Sequence, residues 1–151
     1  MSGNADKYHN YVLIHGAWAG GWVWRDVAPL LRAKGHTVTT PTLTGLGDRK
    51  HLLTPQVDLD THIEDVVANI EMEGLDNVFL VGWSYGGMVI SGVLARIQEK
   101  IASMVYLDAF VPEQGKALVD YVEPAMAGPI TAPERPRPIA QPIPVLRMLV
   151  V

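Results

Sequence analysis

A side-chain hydroxyl attacks carbon only when one group removes its proton and others receive the charge it creates, so the informative serine is one presented where both can reach it. Ser84 has that setting. It is the centre of Gly82-Trp83-Ser84-Tyr85-Gly86, a G-x-S-x-G pentapeptide followed by Gly87. The apolar run Val78-Phe79-Leu80-Val81 before it has the length of a buried strand, and Ile90, Val93, Leu94 and Ile97 after it recur at i, i+3, i+4, i+7. Strand, sharp turn and helix is the implied order, with Ser84 at the tip of the turn. Glycines on both sides suit a bend where strand and helix approach too closely for a Cβ. A plain strand-to-helix turn with a capping serine is the competing reading of the pentapeptide, and the flanking periodicity favours a nucleophile elbow.

The oxyanion formed by such an attack needs donors in place. One is the backbone N–H of Tyr85, the residue after the serine, at the positive end of the following helix. The second is an N–H of the loop His15-Gly16-Ala17-Trp18, for which we select Ala17, although a simple strand-to-helix connection would read the same way. His15 ends the strand expected beside the elbow, on the edge of an open parallel sheet where sites form. It is either a base for Ser84 or a structural histidine hydrogen-bonded within its loop. Asp108 ends the strand after the elbow, as an acid or as a capped loop start. His51, in a loop, and His62, on a helix, are expected to be solvated. Trp18, Trp22 and Trp24 read as core or pocket wall.

The scaffold holding these groups is legible in chain order. Tyr11 to His15 is a short buried strand before a glycine-rich loop. Trp24 to Lys34 is a helix with Trp24, Val27, Leu30 and Leu31 inward and Gly35 as its stop. Thr37 to Thr40 is a β-branched strand ending at Pro41, and Thr42 to Pro55 is loop. Thr61-x-x-Glu64 reads as a capping box opening a helix that runs to Gly74, with Ile63, Val66, Val67 and Ile70 on its inner face. A fourth strand spans Met104 to Leu107. Alternating strands and helices imply a parallel sheet in the order second, first, third, fourth strand, with helices on both faces.

Seven of the eleven prolines fall in Pro124 to Val151. We therefore divide the chain into a core of residues 1–123 and a proline-rich arm of residues 124–151, in which Pro133 to Pro144 is not regular helix. Val145 to Val151 regains strand composition. It either adds a fifth strand beside Met104 to Leu107 or pairs with another chain as a homodimer contact at that exposed edge.

With 151 residues the chain forms one core, and its 48% hydrophobic and 19% charged content is that of a globular protein. A net charge of −4 without a basic run argues against nucleic-acid or anionic-membrane partners. No stretch has the roughly 18 apolar residues of a membrane span, and Met1 to Asn10 lacks an apolar signal core, so a cytoplasmic protein is expected. The absence of cysteine excludes disulfides, a thiol nucleophile and Cys-ligated zinc. Gly16, Gly20 and Gly21 do not fit G-x-G-x-x-G, and no Gly-Lys-Ser/Thr is present, which argues against a dinucleotide or P-loop site. No metal and no cofactor is expected.

His15-Gly16-Ala17-Trp18, Gly20-Gly21-Trp22, Pro41-Thr42-Leu43-Thr44-Gly45, Gly82 to Gly87 and Tyr106-Leu107-Asp108-Ala109-Phe110-Val111-Pro112 together resemble the α/β-hydrolase superfamily. The likeness is to small bacterial esterases related to plant methylesterases, salicylate-binding esterases and hydroxynitrile lyases, and covers roughly Tyr11 to Gly115. By position it implies Ser84 as nucleophile and Ala17 and Tyr85 as the oxyanion hole. Asp108 stands where some α/β-hydrolases carry the acid. Trp83 departs from the histidine often found before the serine in that group. The resemblance also implies a cap, a later acid and a final histidine, yet no histidine occurs after His62. The expectation is thus a truncated α/β-hydrolase fold, mainly parallel, without the cap and the C-terminal catalytic segment. Its expected function is hydrolysis of small or short-acyl carboxylic esters through a Ser84 acyl-enzyme with an incomplete triad. The alternative is a non-catalytic fragment that binds a ligand or pairs with another chain.

Overall fold

Continuous apolar runs of four or five residues separated by amphipathic segments fold here as strands covered on both faces, because a parallel sheet leaves neither face to water. A computed structural model describes residues 7–121 together with the backbone of Met148–Val150. The strands are β1 (Asn10–Ile14), β2 (Thr37–Thr39), β3 (Val78–Ser84), β4 (Ile101–Ala109) and β5 (Met148–Val150). The α-helices are α1 (Val27–Ala33), α2 (Leu59–Met72) and α3 (Gly86–Ile97). The sheet order is β2-β1-β3-β4-β5, and every pairing is parallel. Leu13 lies opposite Val81, and Val105 opposite Leu149.

Alternation along β1 feeds two cores. Val12 and Ile14 join a large cluster with α2 and α3, including Ile63, Val66, Leu80 and Ile90, whereas Leu13 joins Trp24, Ala28, Val38 and Val81 on the opposite face. Among the described residues no helix is long and apolar enough to cross a membrane.

Three local expectations are corrected. The helix expected over Trp24 to Lys34 is a 3-10 turn at Gly21–Trp24 followed by α1. Pro29 explains the late start, because it has no N–H to give the carbonyl four residues back and fits only in a first turn. The shifted phase turns Val27 and Leu30 outward, while Trp24 and Ala28 are buried. The cap of α2 is Asp58. Its Oδ1 accepts the Thr61 N–H at 2.9 Å while its own N–H donates to Thr61 Oγ1 at 3.3 Å, so Thr61 is the last residue of the box and not its first. The loop expected from Thr42 to Pro55 contains a kinked 3-10 segment, Gly47–Leu52.

The strand expected at the C-terminus lies beside β4, with Met104 opposite Met148 and Tyr106 opposite Val150. That edge of β4 is therefore taken by the chain itself and not by another copy. The arm from Pro124 to Arg147, with its proline run, lies outside the described residues, as does the proposed division at residue 123.

Candidate active site

The bend at Ser84 is forced by main-chain proximity. A Cβ on Gly82 would stand 2.6 Å from the Gly86 carbonyl oxygen, one on Gly86 would stand 2.7 Å from that of Ile14, and one on Gly87 would overlap that of Phe110. The three glycines let β3, α3 and the end of β1 converge. Ser84 pays for the turn with φ +54°, a left-handed value that a non-glycine residue adopts at roughly 1–2 kcal/mol. Its carbonyl accepts the Phe110 N–H at 3.1 Å, which fixes the elbow to the segment after β4.

The loop after β1 lies against this bend. A Cβ on Gly16 would be 3.0 Å from Ser84 Cβ, so Ala17, the next residue, is beside the serine. Tyr85 follows Ser84 directly, and its carbonyl accepts the Met88 N–H at 2.9 Å as α3 begins. Among the described residues, the hydrogen bonds of these turns use neither the Ala17 nor the Tyr85 N–H. Both N–H groups belong to turns that meet at Ser84.

His15 is fully buried, and both its ring nitrogens are engaged. Nδ1–H donates to the Gly16 carbonyl at 2.7 Å, and Nε2 accepts the Leu43 N–H at 3.0 Å. Of the two sequence readings this geometry matches the structural one, because no ring nitrogen is left to face Ser84. Burial also lowers its pKa, in keeping with a neutral ring. Asp108 is the extra residue of a bulge, since Leu107 is opposite Trp83 and Ala109 is opposite Ser84. It has φ +43° and an exposed side chain at the same sheet edge as Ser84.

His62 corrects the sequence reading. It is 6% exposed rather than solvated. Nε2–H donates to the Thr44 carbonyl at 2.8 Å, leaving Nδ1 to accept the Tyr85 hydroxyl at 2.8 Å. Thr44 is held in turn by Asp65, whose carboxylate accepts its N–H at 2.6 Å and its hydroxyl at 2.7 Å. Burial lowers the pKa of His62 and raises that of the Tyr85 phenol. A signal was available: His62 lies three residues after Leu59 and four before Val66, within the buried stripe of α2.

Trp24 is core and Trp22, 51% exposed, is cavity wall, both as expected, whereas Trp18 is 61% exposed and is neither. A cavity of about 460 Å³ opens on the α1 face beside Trp22, Arg25, Arg32 and Asp48, and neither Ser84 nor its donor loop lines it. Among the described residues no three His, Asp or Glu side chains are grouped to hold a metal.

A parallel sheet with a glycine-framed, positive-φ serine between its central strand and the next helix defines the α/β-hydrolase class. The chain belongs to that family: the pattern of the alpha/beta hydrolase family matches residues 11–149. It is 57% identical over 123 residues to a carbendazim hydrolyzing esterase of Nocardioides sp. (strain SG-4G), covering 82% of this chain and 51% of the relative. Methylesterase 1 of Arabidopsis thaliana is 35% identical, with 75% of this chain and 43% of that protein covered. An extracellular alpha/beta-hydrolase from a Paenibacillus species superposes with a TM-score of 0.72 at 34% identity, covering 79% of this chain and 48% of the other. The chain spans about half the length of the relatives it matches.

Proposed function

We propose that this chain carries the nucleophile and oxyanion hole of a hydrolase for small or short-acyl carboxylic esters. The carrying observation is the strained Ser84 bend packed against the Gly16-Ala17 loop. The esterase names of the relatives support the same reading. Ser84 Oγ attacks the ester carbonyl carbon, and its proton passes to a base. The Ala17 and Tyr85 N–H groups receive the oxyanion, each worth about 2.7–4 kcal/mol of transition-state stabilisation. The alcohol leaves with a proton, and water hydrolyses the acyl-enzyme. Asp108 is our candidate for the acid. His15 and His62 hold the scaffold, so neither histidine beside the elbow is the base, and the triad is incomplete here. Without one triad member roughly 10³–10⁴-fold catalysis over water remains from binding and the oxyanion hole.

Slow hydrolysis of p-nitrophenyl acetate and butyrate is expected, with stoichiometric fluorophosphonate labelling at Ser84 read by mass spectrometry; carbendazim is the third substrate to assay. Ser84→Ala should abolish both signals. Unchanged hydrolysis by the variant would remove Ser84 from the mechanism. A non-catalytic ligand-binding module is the second reading, favoured by the engaged histidines. It predicts labelling no faster than that of free serine.

A further inference from the structure

The proposed role of Tyr85 uses only its backbone N–H, yet its side chain ends in a part-buried, specific hydrogen bond. We propose that the Tyr85 phenol and His62 are a positioning pair that holds the Tyr85 N–H in line for the oxyanion. This inference rests on the Ser84 reading for its catalytic consequence, and on geometry alone for its structural part.

The direction of every bond in the pair is fixed. The Thr44 carbonyl can only accept, so His62 Nε2 must carry the proton, and neutral Nδ1 can only accept the Tyr85 hydroxyl. Thr44 cannot shift to relax this arrangement, because Asp65 holds its N–H and its hydroxyl from one turn further along α2. The charged and titratable groups acting on His62 are Asp58 and Asp65 around α2, together with His15 across the sheet edge. The chain thus closes a ring: α2 holds Thr44, Thr44 and Tyr85 fix the His62 tautomer, and His62 anchors Tyr85. Helix α2 is in turn seated in the larger core through Ile63, Val66 and Ile70.

The anchoring matters because of its neighbour. A non-glycine residue stays at positive φ only when its surroundings over-determine it. The Ser84–Tyr85 peptide is held at its carbonyl by the Phe110 N–H, and the Tyr85–His62 bond holds the side chain that leaves the same peptide at its nitrogen end. With the side-chain clamp gone, the Ser84–Tyr85 peptide keeps only its carbonyl tether and can rock about it, moving the N–H. An apolar side chain at position 85 would fill the same space without this restraint.

Tyr85→Phe removes the hydroxyl and retains ring and N–H. His62→Gln removes the acceptor ring, and Tyr106→Phe, which deletes a buried hydroxyl bonded to Ser91, is the control for general loosening. Amide hydrogen exchange at Met88, whose N–H bonds the Tyr85 carbonyl, should accelerate about five- to tenfold in the first two variants and not in the control, as expected for one net hydrogen bond. The maximal rate of fluorophosphonate labelling should fall by a similar factor of about five to ten, with the half-saturating concentration within about twofold of the unaltered chain. In the unaltered protein, ¹⁵N shifts should show His62 as the Nε2–H tautomer, a readout that survives if a variant fails to fold. An Nδ1–H tautomer, unchanged exchange in both variants, or equal acceleration in Tyr106→Phe would overturn the pair. Accelerated exchange with unchanged labelling rate would overturn its catalytic role. If the unaltered chain is not labelled at all while exchange responds as stated, the Ser84 reading falls and the positioning pair stands.

Discussion

The two faces of the sheet are built differently. On one, the 14-residue α2 and 12-residue α3 bury regular stripes against β1, β3 and β4 in one continuous core. On the other, a 3-10 turn and the seven-residue α1 cover a small cluster around Trp24, and Val27 and Leu30 remain exposed. The residues that frame Ser84 come mainly from the first face: Tyr85, His62, Asp65 and the glycines of the elbow. The second supplies the Gly16-Ala17 loop through β1. A rigid wall thus carries the strained bend, and the less regular wall supplies the main chain laid against it.

The sharpest break of this contrast is Gly87→Ala. Its Cβ would meet the Phe110 main chain, which cannot yield as a side-chain tip does, so a loss of about 3 kcal/mol or more is expected in urea denaturation. Leu80→Ala, in the larger core, should lose about 2–5 kcal/mol and Val38→Ala, in the smaller, about 1–2 kcal/mol. Equal losses would mean that the faces do not differ in packing.

Acid should act through the two buried histidines. Each has its folded pKa below the unfolded value of about 6.5, so the unfolded chain binds more protons on the acid side and stability is lost as pH falls below about 6.5 toward the folded value. The slope is at most about 1.4 kcal/mol per pH unit for each histidine. Midpoints measured from pH 7.5 to 5 should flatten in His15→Gln and in His62→Gln, and an unchanged slope in both would reassign the effect. The smallest change is Asp58→Ala, about 1 kcal/mol for a lost cap, which should leave the α1 face untouched by hydrogen exchange.

Legibility divides along the same line. The apolar runs, the order of strands and the elbow glycines are readable because both faces of a parallel strand are buried and because backbone crowding admits only one residue type. The α1 face departs from its apolar spacing where Pro29 displaces the helix start, a local rule that outweighs periodicity. Asp58 is hidden as the cap of α2 because Thr61-x-x-Glu64 also satisfies the pattern, and only geometry separates first from last position. Residue type alone sends His62 to solvent, although its spacing places it inward. His15 is open between two roles in the sequence, and its bonds to Gly16 and Leu43 depend on main chain brought together from position 43, which periodicity does not encode.

The bulge at Asp108, the second of two in β4 after the one at Ala102, has a wider effect than the aspartate it displays. Side chains along a strand change sides at each step, so inserting Asp108 reverses the parity of the residues after it. Ala109 thereby comes opposite Ser84, and Phe110 turns its amide to one end of the bend and its oxygen to the glycine of the other. A single extra step in one ribbon sets the geometry of its neighbour.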